Sequence, residues 1–262
     1  MKNLSVALLA VAALGTSVAN ASNGFYLGAS AGVAQTNAKY DYQNQGGKNV
    51  GVNPASEYAQ SFRSDGGKAA GLFGLFAGYG AVVGGSAYVG GEIYGGLDTT
   101  SFSPYDDSSS GKRVGYWKAK LEHKYYYGLA ARLGYMITPN TLAYIRLAVE
   151  AGKWKASVAP NGGYYDVAAA VPGADQAKIA EERKTQTKNK TGIQFAPGVG
   201  VEVFVSKNMF IRAEYSYLFG PKLSLTHGTA TLADGTGING TSVNHNFKTS
   251  QHAMKIGVGY KF

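Results

Sequence analysis

The feature that most constrains this chain is an alternation of apolar and polar residues with a period of two, which recurs in segment after segment. Such alternation is typical of a β-strand with one apolar face. In one segment Ile211, Ala213 and Tyr215 share a face, and Arg212 and Glu214 lie on the other. We interpret eight segments as strands, namely Gly24–Ala34, Lys68–Gly80, Gly84–Leu97, Trp117–Ile137, Leu142–Val158, Lys190–Val205, Met209–Leu225 and Lys248–Phe262.

The connections between these segments alternate in length. The short connections follow the second, fourth and sixth segments, at residues 81–83, 138–140 and 206–208. The long connections follow the first, third, fifth and seventh, at residues 35–67, 98–116, 159–189 and 226–247. Short turns on one side and long loops on the other are typical of outer-membrane barrels. The sequence therefore predicts an all-β fold, an eight-stranded antiparallel up-and-down transmembrane barrel with four long extracellular loops and three short periplasmic turns.

The composition of the two strand faces indicates which one points outward. A soluble barrel of the lipocalin kind, which is the alternative, has an apolar interior and a charged surface. Here the polar face is rich in Gly, Ala and Ser, and the other face carries aliphatic and aromatic side chains. The 262 residues include 37 Gly, 19 Tyr and 11 Phe, against 25 basic and 16 acidic residues. Small residues fit a narrow lumen and apolar residues fit lipid, so this composition favours the membrane barrel.

The first residues have the pattern of a secretory signal peptide. Met1-Lys2-Asn3 is a short positive start, an apolar stretch follows, and Ala19-Asn20-Ala21 is a small-x-small cleavage site. We predict a signal peptide at residues 1–21 and a barrel domain at residues 22–262, with an uncut membrane anchor as the alternative. An export signal in a chain without cysteine indicates a bacterial cell envelope.

Two stretches resemble known outer-membrane barrels. The end of the chain, from Lys255 to Phe262, resembles the terminal signal of this family, with a glycine ahead of two alternating aromatic residues and phenylalanine as the last residue. Ile211–Tyr217 is similar to a strand of OmpA-type and opacity-type small barrels. The resemblance implies an outer-membrane location and implies that Gly257, Tyr260 and Phe262 are recognised by the barrel-assembly machinery. It covers the mature chain in layout but only its last two strands in motif, and it implies no peptidoglycan-binding domain.

Projecting the alternation inward predicts a balanced set of charges in the lumen. Its acidic members are Glu92, Glu150, Glu202 and Glu214, and its basic members are Arg132, Arg146, Arg212 and Lys255. An eight-stranded barrel is just wide enough to be filled by side chains, and unpaired charges there are costly. We therefore predict a charge network that plugs the lumen. It acts either as structural filler or as a gate whose pairs exchange partners and pass small ions.

Little in the sequence is typical of an active site. The chain has no cysteine, and its histidines, His123, His227, His245 and His252, form no H-x-x-x-H pair, so we predict neither a metal nor a cofactor. The G-x-S-x-G match at Gly28–Gly32 lies inside a strand instead of a strand–turn–helix elbow. We predict no catalytic residue. The alternative is a lipid A-modifying enzyme that uses His227 or His245, which this interpretation places in the last long loop.

The basic residues indicate a membrane surface better than a nucleic acid. The net charge is +9, but the chain has no long basic run with interleaved aromatics. Lys153 and Lys155 fall near the outer rim and face outward, and three further lysines, Lys118, Lys120 and Lys124, are placed near that rim on the lumen face. Lipopolysaccharide phosphates occupy this height, so the lysines either bind them or form a solvated rim.

These observations predict a structural or surface-interaction protein that displays its long loops to a host or surface ligand. Its expected partners are outer-membrane lipids, lipopolysaccharide and the barrel-assembly machinery. The third long connection is expected to hold a short helix over residues 175–184, after Pro172-Gly173. A narrow channel for ions or small solutes and the lipid A-modifying enzyme are the two alternatives.

Overall fold

The chain forms one antiparallel sheet that closes on itself. The computed structural model describes residues 23–45, 60–106, 117–160, 173–182, 184–228 and 242–262. The strands are β1 Gly24–Gln45, β2 Gln60–Val83, β3 Ala87–Asp98, β4 Ser101–Asp106, β5 Trp117–Thr138, β6 Thr141–Pro160, β7 Gln186–Phe195, β8 Gly198–Phe204, β9 Met209–Gly228 and β10 Ser242–Lys261. A helix, α1 Gln176–Glu182, precedes β7 and lies within the predicted helical stretch. The predicted signal peptide lies outside the described residues.

The ladders define a ring of eight strand positions, which confirms the predicted barrel. β1 pairs with both β2 and β10, and the pairing continues through β9, β8, β6, β5 and β3 back to β2. Two positions are each filled by two strands. β3 and β4 are separated at Thr99-Thr100, and β7 and β8 at Ala196-Pro197. Proline cannot donate a ladder hydrogen bond, so Pro197 interrupts this strand position.

The lower part of the barrel, nearest the short turns, carries a continuous apolar surface on its outside. Large side chains such as Leu75, Ile93, Leu129 and Ile256 are exposed around the ring. Exposed apolar surface of this extent is what contact with lipid requires. We call this surface the lipid band, and its upper edge runs through Val33, Leu97, Tyr125, Phe219 and Met254.

No helix among the described residues is long and apolar enough to cross a membrane.

Above the lipid band the strands continue much further than the sequence predicted. β1 reaches Gln45 and β2 begins at Gln60, both inside the predicted first long loop, and β9 and β10 likewise extend into the predicted fourth loop. The period of two persists, but the polarity of the faces inverts. On β1 Tyr40 and Tyr42 are now buried inside, and Lys39 is exposed outside. The predicted boundaries were wrong because they followed the apolar outer face, which ends with the lipid.

The extension above the lipid band consists of two sheets. Among the described residues, β4 pairs only with β5 and β7 only with β6, so the backbone ladder of the ring is interrupted along two seams. One sheet is β2–β1–β10–β9 and the other is β4–β5–β6–β7. They enclose a shared core, which contains Tyr40, Tyr42, Phe62, Tyr105, Trp117, Leu121, Ile179, Leu223, Leu225, Val243 and Phe247. We call this part the outer sandwich, because two sheets pack face to face around an apolar core.

Candidate functional site

The eight charged residues predicted for the lumen all point into it. Seven are buried, and the side chain of Lys255 is 12% exposed. They come from six strands and form two groups that touch each other. The lower group is Glu92, Arg132, Glu202 and Arg212, and the upper group is Arg146, Glu150, Glu214 and Lys255.

The lower group is tightly cross-linked. Glu202 Oε2 lies 2.7 Å from Arg132 Nη2 and 3.1 Å from Arg212 Nη2. Arg212 Nη1 lies 2.7 Å from Glu92 Oε2, which also accepts a hydrogen bond from the Tyr26 hydroxyl at 3.1 Å. Hydrogen bonds between ionised groups are short and about twice as strong as neutral ones. Two arginines and two carboxylates therefore hold four strands together across the lumen.

The upper group is looser. Glu214 Oε1 lies 3.4 Å from Lys255 Nζ and 3.7 Å from Arg146 Nε. Glu150 accepts a hydrogen bond from the Tyr94 hydroxyl at 3.2 Å but has no ion pair with another described residue. A cavity of about 20 Å³ lies between the two groups, which is room for roughly one water molecule. The lumen is thus filled at this level, apart from one small polar void.

Aromatic rings fill the space between the charges, which sequence reasoning missed. Arg132 Cζ lies 3.9 Å from the ring centre of Tyr144, and Arg146 Cζ lies 4.1 Å from that of Tyr94. Such contacts are favourable when the cation has lost its water. The sequence interpretation assigned tyrosines mainly to the lipid side. Strand parity could have corrected it, because Tyr94 shares a face of β3 with Glu92.

Glycines make room for these rings. A Cβ added at Gly200 would overlap the ring of Tyr144, and one added at Gly128 would overlap that of Tyr94. Each ring therefore packs against a glycine on the neighbouring strand. The high glycine content follows from packing large side chains into a lumen of fixed width.

A second polar cluster lies at the rim, above the charge network. His123 Nδ1 is 2.7 Å from Asp98 Oδ2, and Gln251 Nε2 donates to the same oxygen at 2.7 Å. The His123 ring stacks on Trp154 with ring centres 4.0 Å apart. A histidine oriented by an aspartate also occurs in hydrolytic triads. Here, however, the other ring nitrogen, Nε2, faces the backbone of Gly152 and has no hydrogen-bond partner among the described residues.

His227 and His245 lie on β9 and β10, not in a loop as the sequence interpretation had them. Both are fully buried in the outer sandwich, with ring centres 5.0 Å apart and Trp117 packed against both. The Tyr40 hydroxyl lies 2.7 Å from His245 Nδ1. Burial lowers the pKa of His227 to about 4 and that of His245 to about 3, so both are neutral at pH 7. They are part of an aromatic core. Among the described residues there is also no cluster of three or more metal-ligating side chains.

A bulge on β5 reverses the predicted orientation of three lysines. The register with β6 shifts between His123 and Tyr126, so Lys124 and Tyr125 together oppose one residue, and both are exposed. One extra residue in the strand moves every side chain of the preceding stretch to the opposite face of the sheet. Lys118 and Lys120 therefore face outward, together with Lys124, whereas the sequence interpretation placed all three on the lumen face.

The two lysines predicted to face outward on β6 do so. Lys153 Nζ lies 5.9 Å from the ring centre of Tyr125, and Lys155 Nζ lies 3.7 Å from Glu122. Trp154, between them, points inward and is fully buried. The outer surface of β5 and β6 above the lipid band is therefore rich in lysine.

Of the predicted assembly signal, Gly257 and Tyr260 lie on β10, which pairs with β1 and β9 and closes the ring, and Phe262 directly follows the end of that strand. Tyr260 and Phe262 are exposed in the lipid band, with ring centres 5.1 Å apart. Gly257 is buried on the lumen side, close to the ring of Phe76.

The sequence matches the model of one protein family, described as the outer membrane protein beta-barrel domain, over residues 4–262. No curated protein matches the chain in sequence. Among solved structures, it is similar to Ail, the attachment invasion locus protein of Yersinia pestis, with 16% identity and a TM-score of 0.36 over 91% of this chain and 99% of that one. It is also similar to Neisserial surface protein A, with 16% identity and a TM-score of 0.37 over 91% of this chain and 97% of the other. A third similar structure is OprG of Pseudomonas aeruginosa, with 11% identity and a TM-score of 0.38 over 94% and 99%.

Proposed function

This chain belongs to the outer membrane protein β-barrel family, and on that premise we propose that it is a structural and surface-interaction protein with a closed lumen. The outer sandwich and the loops attached to it are the part that meets a host or surface ligand. In this proposal residues 1–21 are a cleaved export signal, and Gly257, Tyr260 and Phe262 are read by the barrel-assembly machinery.

The observation that carries the proposal is the filled lumen. The lower charge group spans the barrel through contacts of 2.7–3.1 Å between its arginines and carboxylates. The Asp98–His123 cluster and then the aromatic core of the outer sandwich lie above it. A solute would have to displace three successive layers of buried side chains. Such a barrel supports a scaffold better than a pore.

The outer sandwich supports the interaction role. Its two sheets share an apolar core and therefore present a preformed platform beyond the lipid band. In the sequence, residues 46–59, 107–116, 161–172 and 229–241 connect its strands. Loops on a rigid scaffold commonly carry recognition, because the scaffold holds their ends in place.

The proposal includes no catalytic role. A hydrolase of the triad type needs a nucleophile against the free nitrogen of its histidine. His123 has the backbone of Gly152 in that position, and His227 and His245 are packed among aromatic rings. These arrangements favour structural roles for all three.

A narrow channel is the second candidate, and the upper charge group is the observation that favours it. The void of about 20 Å³ touches Arg146, Glu214 and Lys255, and the two ion pairs of Glu214 are 3.4 Å and 3.7 Å long. Looser pairs beside a polar void exchange partners more easily than the lower group does. The channel would therefore open only if the lower group also rearranged.

Single-channel recording in planar bilayers separates the two candidates. The scaffold proposal expects no steady openings from the wild-type protein. Large, steady and nonselective openings would overturn the closed lumen. Cation- or anion-selective openings that Glu214→Gln alters would support the channel instead.

A second experiment addresses the surface role. Deleting residues 163–170 leaves the ends of β6 and the start of α1 in place. We expect the shortened protein to fold and insert normally, while cells that display it adhere less to a coat of extracellular-matrix proteins. Unchanged adhesion would contradict a role for this segment.

A further inference from the structure

One side of the barrel wall has a groove within the lipid band. Its volume is about 370 Å³, which falls in the range of small-molecule sites, roughly 300–1,000 Å³. Apolar side chains of β3, β5, β6 and β7 form its walls, and Ala151, which pairs with Tyr127 across the β5–β6 ladder, also lines it. The walls are lined by Ile93, Leu129, Val149 and Ile193.

Positive charge lies directly above this groove. Ala151, Lys153 and Lys155 are successive outward residues of β6, so each step is about 6.6 Å along the strand. Lys153 has no carboxylate partner among the described residues, and its ammonium group lies 5.9 Å from the ring centre of Tyr125. Lys155 shares Glu122 with Lys120, at 3.7 Å and 3.1 Å.

The β5 bulge adds to this cluster. It places two consecutive residues, Lys124 and Tyr125, on the exposed side. Bulges commonly re-aim side chains in this way. The ring of Tyr125 then lies at the upper edge of the lipid band, beside Lys153, which is the level of the lipid headgroups.

The β1–β10 side of the barrel carries no lysine at this height. On β1 the first two outward residues above the lipid band are Gln35 and Asn37, and on β10 they are His252 and Ser250. On β6 both equivalent positions are lysine, and a groove lies directly below them.

We propose that this groove and the lysines above it form a binding site for lipid A, the phosphorylated acyl lipid of lipopolysaccharide. An acyl chain lies in the groove against Ala151, and a phosphate is held by Lys153, with Lys155 and Lys124 beside it. The match is one of shape and charge, since the ligand has an apolar chain and an anionic group in the same order along the membrane normal. The site goes beyond the proposed surface role, because it binds a component of the membrane itself.

The test measures lipid A binding to the full-length mature protein in mild detergent by native mass spectrometry. Lys153→Gln/Lys155→Gln removes the charge, and Ala151→Phe fills the groove. Lys39→Gln/Lys248→Gln is the matched control, because it removes two exposed charges from a cross-strand pair on the β1–β10 side. Heat-dependent mobility in gels reports that every variant is folded.

We expect lipid A to bind roughly tenfold more weakly to Lys153→Gln/Lys155→Gln and to Ala151→Phe, and as tightly as to wild type in the control. Dephosphorylated lipid A should bind the wild type as weakly as lipid A binds the lysine variant. Equal weakening in the control would overturn the site, since it would show general charge attraction only. Equally tight binding of phosphatidylglycerol would overturn the choice of lipid A. Displacement of bound lipid A by inorganic phosphate alone would overturn the role of the groove.

Discussion

Arg212 and Glu92 lie 120 residues apart in the sequence, and their side chains meet across the lumen with Nη1 2.7 Å from Oε2. Arg212 also holds Glu202, which in turn holds Arg132. The Glu202 carboxylate is therefore shared by the two arginines, Arg132 and Arg212. Because the four side chains come from β3, β5, β8 and β9, this group braces the barrel against changes of register.

Removing Arg212 should therefore destabilise the barrel strongly. Arg212→Met leaves Glu92 with fewer partners in a buried site, and loss of one member of a buried pair costs about 3–5 kcal/mol. The free energy of unfolding, measured by urea titration in lipid vesicles, should fall by that order. Lys222→Met on the exposed face of β9 is the control and should change it little. Equal effects of the two substitutions would show that the lumen group is not a brace.

Gly200 should not tolerate a side chain. Gly200→Ala places a methyl group where the Tyr144 ring lies, and overpacking of this kind costs about 1–3 kcal/mol. Gly91→Ala is the matched control, because nothing lies within 4 Å of the Cβ it would add. The same urea titration compares the two. The combination of Gly200→Ala with Tyr144→Phe, which removes the hydroxyl next to that methyl group, should recover part of the loss.

Acid should loosen the outer sandwich through His227 and His245. Burial lowers the pKa of both below the ordinary value of about 6.5, so the folded state binds fewer protons than the unfolded state in this range. The stability contributed by the neutral histidines is fully present above pH 6.5. It is lost as the pH falls, down to about 4 for His227 and about 3 for His245. Tyr40 and Trp117 pack against these rings, and neither supplies a negative charge to an imidazolium.

The measurement is limited proteolysis of the outer sandwich from pH 7 to pH 3.5 with an acid-stable protease. The double variant His227→Phe/His245→Phe keeps aromatic rings but does not titrate, so its cleavage should depend less on pH. His252→Phe, at an exposed position of β10, is the control and should behave like the wild type. An unchanged pH profile in the double variant would refute the role of the buried pair.

Loss of Phe262 should impair assembly more than stability. Phe262 is exposed, and its ring contacts only Tyr260 among the described aromatic rings. Deleting it should therefore lower the amount of folded protein in outer membranes, while refolding in vesicles proceeds nearly as in the wild type. A parallel loss in both measurements would mean that Phe262 acts through packing.

The export signal has a direct test. Cleavage after Ala21 predicts that the protein purified from outer membranes begins at Ser22. Its intact mass should shift by the mass of residues 1–21. A protein that retains Met1 would support the uncut anchor. Replacing Ala21 with a bulky residue should slow processing, because the cleavage site requires small side chains.

The candidate site was partly predictable. The eight lumen charges follow from strand parity, which is a local property, and each points inward as its parity requires. Parity failed for Lys118, Lys120 and Lys124, because the bulge at Lys124–Tyr125 adds one residue that no local pattern marks. His227 and His245 were assigned to a loop instead of strands for another reason. Above the lipid the outer face becomes polar, so the strands there no longer resemble those below.

The sequence alone was enough for the eight strand positions of the ring and for the lipid-facing wall, because alternation and side-chain size act over a few residues. The partners inside the barrel were decided by the closed ring. Glu92 lies 2.7 Å from Arg212 but 4.0 Å from Arg146. The stagger of the strands decides which inward residues lie at the same level of the barrel. The same holds for the groove at Ala151 and the lysines above it, which need β3, β5, β6 and β7 side by side. Contacts of this kind depend on ring closure and register, which are properties of the whole sheet.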